Sequence, residues 1–457
     1  MSVVMILPFL VILNGIRIPV GASSIAADQL VACFLLVPLV ASTLFGARRL
    51  HVDSTVGWLA AIVVWNVTAS LLHSPALSYS LLQCANLAST WIIYLVVSNG
   101  IETREAFERF LRCVLWAALI ASAVGIAAFC VALAGFDVGG AEVSTLAVTR
   151  LTQAYGAYGF MVEPNIFGSF AAAHFVLSML IVRGGSRLSD DPRLTKLARR
   201  TAAFTFVALI LSFTRAAWLG AAAGLLVAAL LAPSMLGVRI RPTVIMKSLV
   251  AVVAIIGVLV LIPGNVGTVL RFKLVNLVNP QSQTVVVRLL TYGIALQQTM
   301  MHPFAGWGTF TFAPLLAEGS DFQRFDNWRS LWIGNYLLLA LHDTGAIGLL
   351  CWVAMLWTVV ARGLRAAREA AQAHALAALR SLGLTAAIVT LLIPFLATSG
   401  FSLGFPWLLF GLLGAHCRLQ HAQEVPALDP ETSPRETATP FSPPLPVPIS
   451  IPAPDAT

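Results

Sequence analysis

TAAFTFVALILSFTRAAWLGAAAGLLVAALLAPSML, residues 201–236, is the stretch that decides how this chain is threaded. It is apolar from end to end except at Thr214-Arg215. A helix needs about 20 apolar residues to cross a bilayer, so the run reads either as one overlong span or as two spans meeting at Arg215. A single span would move the later basic clusters to the outer side. Two spans keep them inside, as the excess of Lys and Arg in cytoplasmic loops requires. The reading is therefore two spans, with Arg215 at the outer turn between them.

Working outward, the rest of the chain has the same character. Of 457 residues, 58% are hydrophobic and 11% charged, with a mean hydropathy of +0.86. A globular domain carries about 25% charged residues, so a water-soluble enzyme, a nucleic-acid binder and a disordered scaffold all fit poorly. The net charge of +8 does not point to nucleic acid either, because the 28 Lys and Arg residues sit mainly in short clusters between apolar runs. The predicted fold class is all-α: a polytopic integral membrane protein of about 12 transmembrane helices with one large extracytoplasmic loop. Spans are expected near 2–20, 27–46, 54–73, 78–99, 112–134, 159–183, 201–214, 216–236, 246–263, 331–360, 382–399 and 402–417. No basic stretch precedes the apolar N-terminus, which reads as the first span rather than a cleavable signal.

With the N-terminus inside, the clusters at 48–49, 104–112, 183–200, 239–247 and 362–380 all fall on the cytoplasmic side. The basic residues left outside are Arg17, Arg150, Arg215, Arg271, Lys273, Arg288, Arg324 and Arg329. They oppose the orientation signal and so call for another reason. Arg215 is the sharpest case. Residues 201–213 make only about 20 Å of helix at 1.5 Å per residue, which leaves Arg215 below the outer surface of a core about 30 Å thick. A snorkelling side chain explains this blandly; a functional cation in an outward-facing cavity is the preferred reading.

Three regions follow: N-terminal helices over 1–134, a second membrane region over 135–417 and a tail over 418–457. The second region carries an outer loop at 264–330, polar enough to be soluble, within which Thr284–Met301 reads as a helix lying on the surface. The tail holds ten prolines from residue 421 onward and cannot bury a core, so it is expected to be disordered in the cytoplasm. The six cysteines form no CxxC pair and no metal-ligand spacing, which speaks against a disulfide framework and a zinc site.

Four motifs then resemble a known family. Arg150, Tyr155-Gly156 and Glu163-Pro164-Asn165 resemble the Arg…Gly…Pro-Asn element of O-antigen ligase and polymerase membrane proteins. Ser212-Phe213-Thr214-Arg215-Ala216-Ala217-Trp218 is similar to their S/T-R-G-x-W helix start. Arg288, followed by His302-Pro303-Phe304-Ala305-Gly306-Trp307-Gly308, resembles the arginine and hP-x-x-G-x-G stretch of their large outer loop. Asn335-Tyr336-Leu337, with Asp343, Gly345 and Gly348, matches the span that follows. The order is that of the family over residues 150–348. One position departs: the family commonly has His immediately before that asparagine, and here it is Gly334. This favours a relative that polymerises repeat units, or uses another acceptor, over a ligase that attaches O-antigen to the lipid A core.

The resemblance implies glycosyl transfer at the outer face of a bacterial cytoplasmic (inner) membrane, from an undecaprenyl-diphosphate-linked glycan donor to a hydroxyl on a glycan or lipid acceptor, among membrane lipids. The leaving diphosphate gains charge as the glycosidic bond breaks. No acidic DxD cluster appears in the outer loops expected at 135–158 and 264–330 to hold a metal, so no metal or other cofactor is expected and arginine is assigned the task. Its planar fork bonds phosphate in bidentate fashion and stays protonated. Arg215 and Arg288 are expected to act directly and Arg150 to help bind the donor. Glu163 stands at the outer end of a span, either as an acid favoured by the helix dipole or as a general base or a group that orients the acceptor. Asn165, Gly306, Gly308, Asn335 and His342 complete the expected substrate-binding set. For His342, two turns beyond Asn335, a buried structural role competes with that reading. His302, Asp343 and His174 read as structural. Two other functions remain open at this level: a lipid-linked glycan or polysaccharide transporter (flippase), and a non-catalytic envelope-assembly protein.

Overall fold

The structure is a computed structural model. It describes residues 2–20, 23–46, 49–133, 156–188, 191–236, 257, 261, 271, 283–318 and 332–424. Expectations for Arg150, for the span at 246–263, for much of the outer loop and for residues 425–457 lie outside the described residues.

The chain begins with a short helix, α1 (Leu7–Leu10), flanked by 3-10 turns Ser2–Ile6 and Val11–Leu13. An antiparallel hairpin follows, β1 (Arg17–Val20) paired with β2 (Ser23–Ala26), with Ile18 opposite Ile25. The long helices come next: α2 (Ala27–Leu44), α3 (Ser54–His73), α4 (Leu77–Gly100), α5 (Arg104–Leu133), α6 (Pro164–Leu188), α7 (Pro192–Leu211) and α8 (Arg215–Leu236). After them are α9 (Gln283–Thr299), the short α10 (Phe312–Glu318), α11 (Tyr336–Ala373), α12 (Ala375–Leu392) and α13 (Gly404–Glu424).

Among the described residues, eight helices are long and apolar enough to cross a membrane: α2 to α6, α8, α11 and α12. The chain is thus a multi-span helical membrane protein; of the expected spans without a counterpart among these eight, the one at 246–263 lies outside the described residues, and two others take a different form. The expected first span is a helix that stops at Leu13 and turns into the hairpin, so the all-α reading also needs this small sheet added. Helix α7 starts at Pro192 rather than near residue 201, and its first turns carry Arg193, Lys196, Arg199 and Arg200. It is 20 residues long, about 30 Å, so the short-helix argument that sank Arg215 into the bilayer is corrected. Arg215 instead owes its place to the turn that follows α7.

Local chemistry sets the helix starts. Asp53 caps α3 by accepting from the Val56 amide at 3.1 Å, and Asp191 caps α7 ahead of Pro192. Thr103 accepts from the Ala106 amide to open α5, and Asn335 accepts from Leu338 at 3.1 Å to open α11.

Helix α13 is the axle of the bundle, buried on every side from Gly404 to Cys417. A helix that is apolar all round belongs inside. Beside it Trp352 of α11 packs between Trp91 and Tyr336, with ring centroids 5.8 and 4.7 Å away. Edge-to-face pairs of this kind add about 0.5–1.5 kcal/mol each. Lipid tails are as apolar as side chains, so contact between spans depends on close fit and small residues. In α8 that role falls to Gly220 and Gly224, which lie against the backbone of α12; a Cβ on Gly224 would sit 2.8 Å from the Ala386 carbonyl oxygen.

The two ends of the bundle differ in charge. At one end Arg380 of α12 bonds Glu108 of α5 at 2.9 Å, Arg362 of α11 pairs with Asp53, and Tyr94 donates to Asp53 at 2.6 Å. Burial pushes the Asp53 carboxyl up, but Arg362 and these hydrogen bonds outweigh it and leave the group below its ordinary value. The opposite end holds the starts of α6, α8 and α11, and with them most of the residues singled out by sequence.

Candidate active site

The α7–α8 turn is tight. Ser212, Phe213 and Thr214 alone separate the two helices, and Phe213 takes a left-handed conformation with φ 51°. Such a φ is uncommon for a bulky residue and persists only when its surroundings enforce it. Here they do. The Ser212 hydroxyl donates to the Leu209 carbonyl at 2.8 Å, and the Trp218 indole donates to the same carbonyl at 2.9 Å. The Thr214 hydroxyl donates across to the Pro164 carbonyl at 3.1 Å, and the Ala157 amide to Leu211 at 2.9 Å. A Cβ on Gly168 would come within 2.6 Å of the Ser212 oxygen. The turn is therefore pressed onto the start of α6, and Gly156, Pro164 and Thr214 are brought together from two separate sequence motifs. Arg215 follows as the first residue of α8, exposed, where the helix dipole is positive.

Glu163, one residue before α6, accepts a hydrogen bond from the Thr398 hydroxyl at 2.9 Å. Thr398 is buried, in the irregular stretch between α12 and α13. Burial raises the Glu163 pKa above its ordinary value; hydrogen bonds from Thr398 and Asn165 and the charge of Arg288 pull it partway back. Glu163, Asn165 and Arg288 thus share one electrostatic neighbourhood.

Arg288 comes from α9. Its Nε lies 3.7 Å from where a Cβ on Gly334 would be, beside Tyr292, whose hydroxyl donates to the Gly334 carbonyl at 3.0 Å. The same hydroxyl lies 3.4 Å from the Leu396 carbonyl. Arg288 and Tyr292 are one turn apart on a helix and so face the same way. Gly334 lets these groups close in: a Cβ there would lie in ordinary contact with the Ala397 carbonyl oxygen at 3.5 Å, the Arg288 Nε at 3.7 Å and the Tyr292 hydroxyl at 3.9 Å. Two residues on, Tyr336 begins α11 behind its Asn335 cap.

The other expected residues form a frame beside this cluster. Helix α11 is broken at Gly345, which has φ 63°. The loop after α9 plugs the break: the amides of Trp307 and Gly308 donate to the carbonyls of His342 and Asp343 at 3.0 and 2.8 Å. Gly306 and Gly308 both have positive φ, and a Cβ on Gly308 would lie 2.9 Å from the Ser70 Cα. His342 is fully buried, 3.0 Å from Gln298 of α9 and 2.9 Å from Asp343. Asp343 in turn accepts from the Phe310 amide at 2.7 Å. His302 stacks on His73 with centroids 4.0 Å apart, and His174 bonds the Phe170 carbonyl at 2.7 Å.

Sequence reasoning passed over Thr398 and Tyr292. The signal for Thr398 was Pro394, which ends the apolar run at 382–399 early because proline cannot continue a helix. Nothing local distinguishes Tyr292. Among the described residues, no group of three or more His, Cys, Asp and Glu side chains gathers to hold a metal ion.

This arrangement can do anion chemistry. Two arginines and a helix N-terminus stand at one end of the bundle, with a partly buried carboxylate beside one of them. No curated protein matches the chain. The family model for O-antigen ligase matches residues 201–353, a third of the chain that includes Arg215, Arg288, Gly306, Gly308, Asn335 and His342 and leaves out Glu163 and Asn165. The chain is a helical membrane protein whose stretch from α7 to the middle of α11 is similar to the O-antigen ligase family.

Proposed function

We propose that the chain is a membrane glycosyltransferase of the O-antigen ligase or polymerase type. It moves a glycan from an undecaprenyl diphosphate carrier to the hydroxyl of a glycan or lipid acceptor. The single observation that carries this reading is the meeting of Arg288, Glu163 and Gly334, three residues from distant parts of the chain, which sets a guanidinium beside a partly buried carboxylate. In it, Arg288 neutralises charge that grows on the departing diphosphate, and Arg215 binds the same group from the start of α8, with Arg150 assisting. A fixed cation in a water-poor site needs no reorganisation at the moment of reaction. Glu163 takes the proton of the attacking hydroxyl. Its raised pKa makes it a stronger base than a surface carboxylate, while Thr398 and Asn165 keep enough of it ionised.

Asn335, His342, Gly306 and Gly308 serve this site by holding α9 against α11 rather than by touching substrate. The orientation follows from charge: Arg104, Arg109, Arg362 and Arg380 gather at the end away from Arg288, which favours a cytoplasmic position for them and an outward-facing site. The membrane is the cytoplasmic membrane of a bacterium. Gly334 favours polymerisation, or an acceptor other than the lipid A core. The deciding experiment is transfer by purified protein in vesicles supplied with lipid-linked glycan and acceptor. New glycosidic bonds, lost in Arg288→Ala, support the reading. Passage of the intact lipid-linked glycan across the vesicle wall with no new bond would establish a transporter in its place.

A further inference from the structure

Helix α9 has its polarity reversed for a helix in water. Its one charged residue, Arg288, lies on the face that packs on the bundle, in line with Tyr292, Ala295 and Thr299. The outer face is largely apolar at helical spacing: Val286, Leu289, Leu290 and Leu296, joined by Met300 just past the helix, with Leu289 64% and Met300 76% exposed and Gln297 the one exposed polar side chain described there. A helix in contact with water shows its charged residues outward and hides its leucines, and a soluble surface does not usually present so long an apolar patch. Yet α9 is not among the helices able to span.

The stripe does not end with the helix. Phe304, 70% exposed, follows Met300 and Met301, and its carbonyl accepts from the Ile347 amide at 3.4 Å. Ile347 starts a second exposed apolar line along α11, running through Leu350 and Val353 to Trp357. That line belongs to a helix long and apolar enough to cross the membrane, where exposed apolar side chains meet acyl chains. The exposed face of α9 is thus continuous with the exposed apolar face of a candidate span.

We propose that the outer stripe of α9 rests against the acyl chains of the bilayer, so that this non-spanning helix lies along the membrane with Arg288 turned inward to the bundle. The expectation of a soluble outer loop is then wrong for this segment. An in-plane amphipathic helix normally carries basic residues on its polar face toward the headgroups. Here protein takes the place of water on that face. The inference rests on membrane embedding alone and holds whatever reaction the site performs.

The test places the photo-crosslinking residue p-benzoylphenylalanine at Leu290 or at Met300 of the full chain in phosphatidylcholine vesicles. Leu350, on the lipid face of α11, is the positive control, and Glu105, 76% exposed in its side chain at the basic end of the bundle, is the negative one. Phospholipid adducts by mass spectrometry at Leu290 and Met300, at a yield within about threefold of Leu350, are expected. A yield at the Glu105 level would put the stripe in water and overturn the proposal. Crosslinks to another segment of the chain, or to a second copy, would overturn it in favour of protein cover. All four positions are on the surface, so the probe does not disturb packing.

Discussion

The Thr398 hydroxyl holds the Glu163 carboxylate at 2.9 Å across 235 residues of sequence. A hydrogen bond donated to a carboxylate favours its charged form and so lowers its pKa, against the burial that raises it. Removing the donor leaves burial less opposed. Thr398→Val therefore moves the acid limb of the pH–rate profile to higher pH, since Glu163 must lose its proton to act, while Thr398→Ser restores the original profile. A profile that does not move in Thr398→Val separates Glu163 from the proton transfer.

Glu163 also ties stability to pH. Its folded pKa is raised, so between the unfolded and folded values the native state binds more protons than the unfolded one, and stability falls as pH rises through that window. Glu163→Gln removes the loss while still accepting from Thr398. The variant should melt no lower than the parent at pH 8, with the gain shrinking as the pH approaches the ordinary carboxylate range, and should have lost transfer. Thermal unfolding in detergent at several pH values checks the first half and the transfer assay the second.

Arg288 reaches into the cluster from α9, and Arg215 is the exposed first residue of α8. Arg288→Ala and Arg215→Ala should reach the membrane in normal amount, which a blot of the membrane fraction checks. Each should lose about 10²–10³ in rate, the usual cost of deleting one preorganised donor. Arg288→Lys keeps the charge without the planar fork and should recover only part of the activity. Full transfer in Arg288→Ala would end the diphosphate-clamp mechanism.

Two glycines make opposite predictions. At Gly308 the backbone has φ 95° and a Cβ would sit 2.9 Å from the Ser70 Cα, so Gly308→Ala should pry the loop from α3 and lower the melting temperature sharply. At Gly334 the nearest atom to a Cβ is 3.5 Å away, an ordinary contact. Gly334→Ala should fold as well as the parent, and a slight gain is expected because it restricts the unfolded chain, about 0.4–1 kcal/mol where the backbone is compatible. A circular dichroism melt of each variant measures both effects.

The parts of this fold that could be read along the chain are those written locally. The break at Thr214-Arg215, the helix Gln283–Thr299 and the spans from α2 to α6 follow from apolar runs, caps and charge. Where reading failed, composition was ambiguous. The stretch from Ile16 to Ala26 is as apolar as a span, and an apolar run does not distinguish strand from helix on its own; Pro19 and Gly21 were the clue to the hairpin. Arg215 was placed at the outer turn for partly the wrong reason, because the charged first half of α7 was assigned to a loop. The pairing of Glu163 with Thr398, and the approach of Tyr292 to Gly334, depend on tertiary geometry and leave no local trace.

Helix α13, wrapped by the others from Gly404 to Cys417, follows them all in chain order. Synthesis runs from the N-terminus, so the other helices of the described fold are made before this axle. Thr398 lies in the lead-in to that axle, only six residues before Gly404, and takes up its position on Glu163 late. A half-translated molecule thus carries its arginines with the carboxylate untethered. The hydroxyl that pulls the Glu163 pKa down is among the last parts of the described fold to be made.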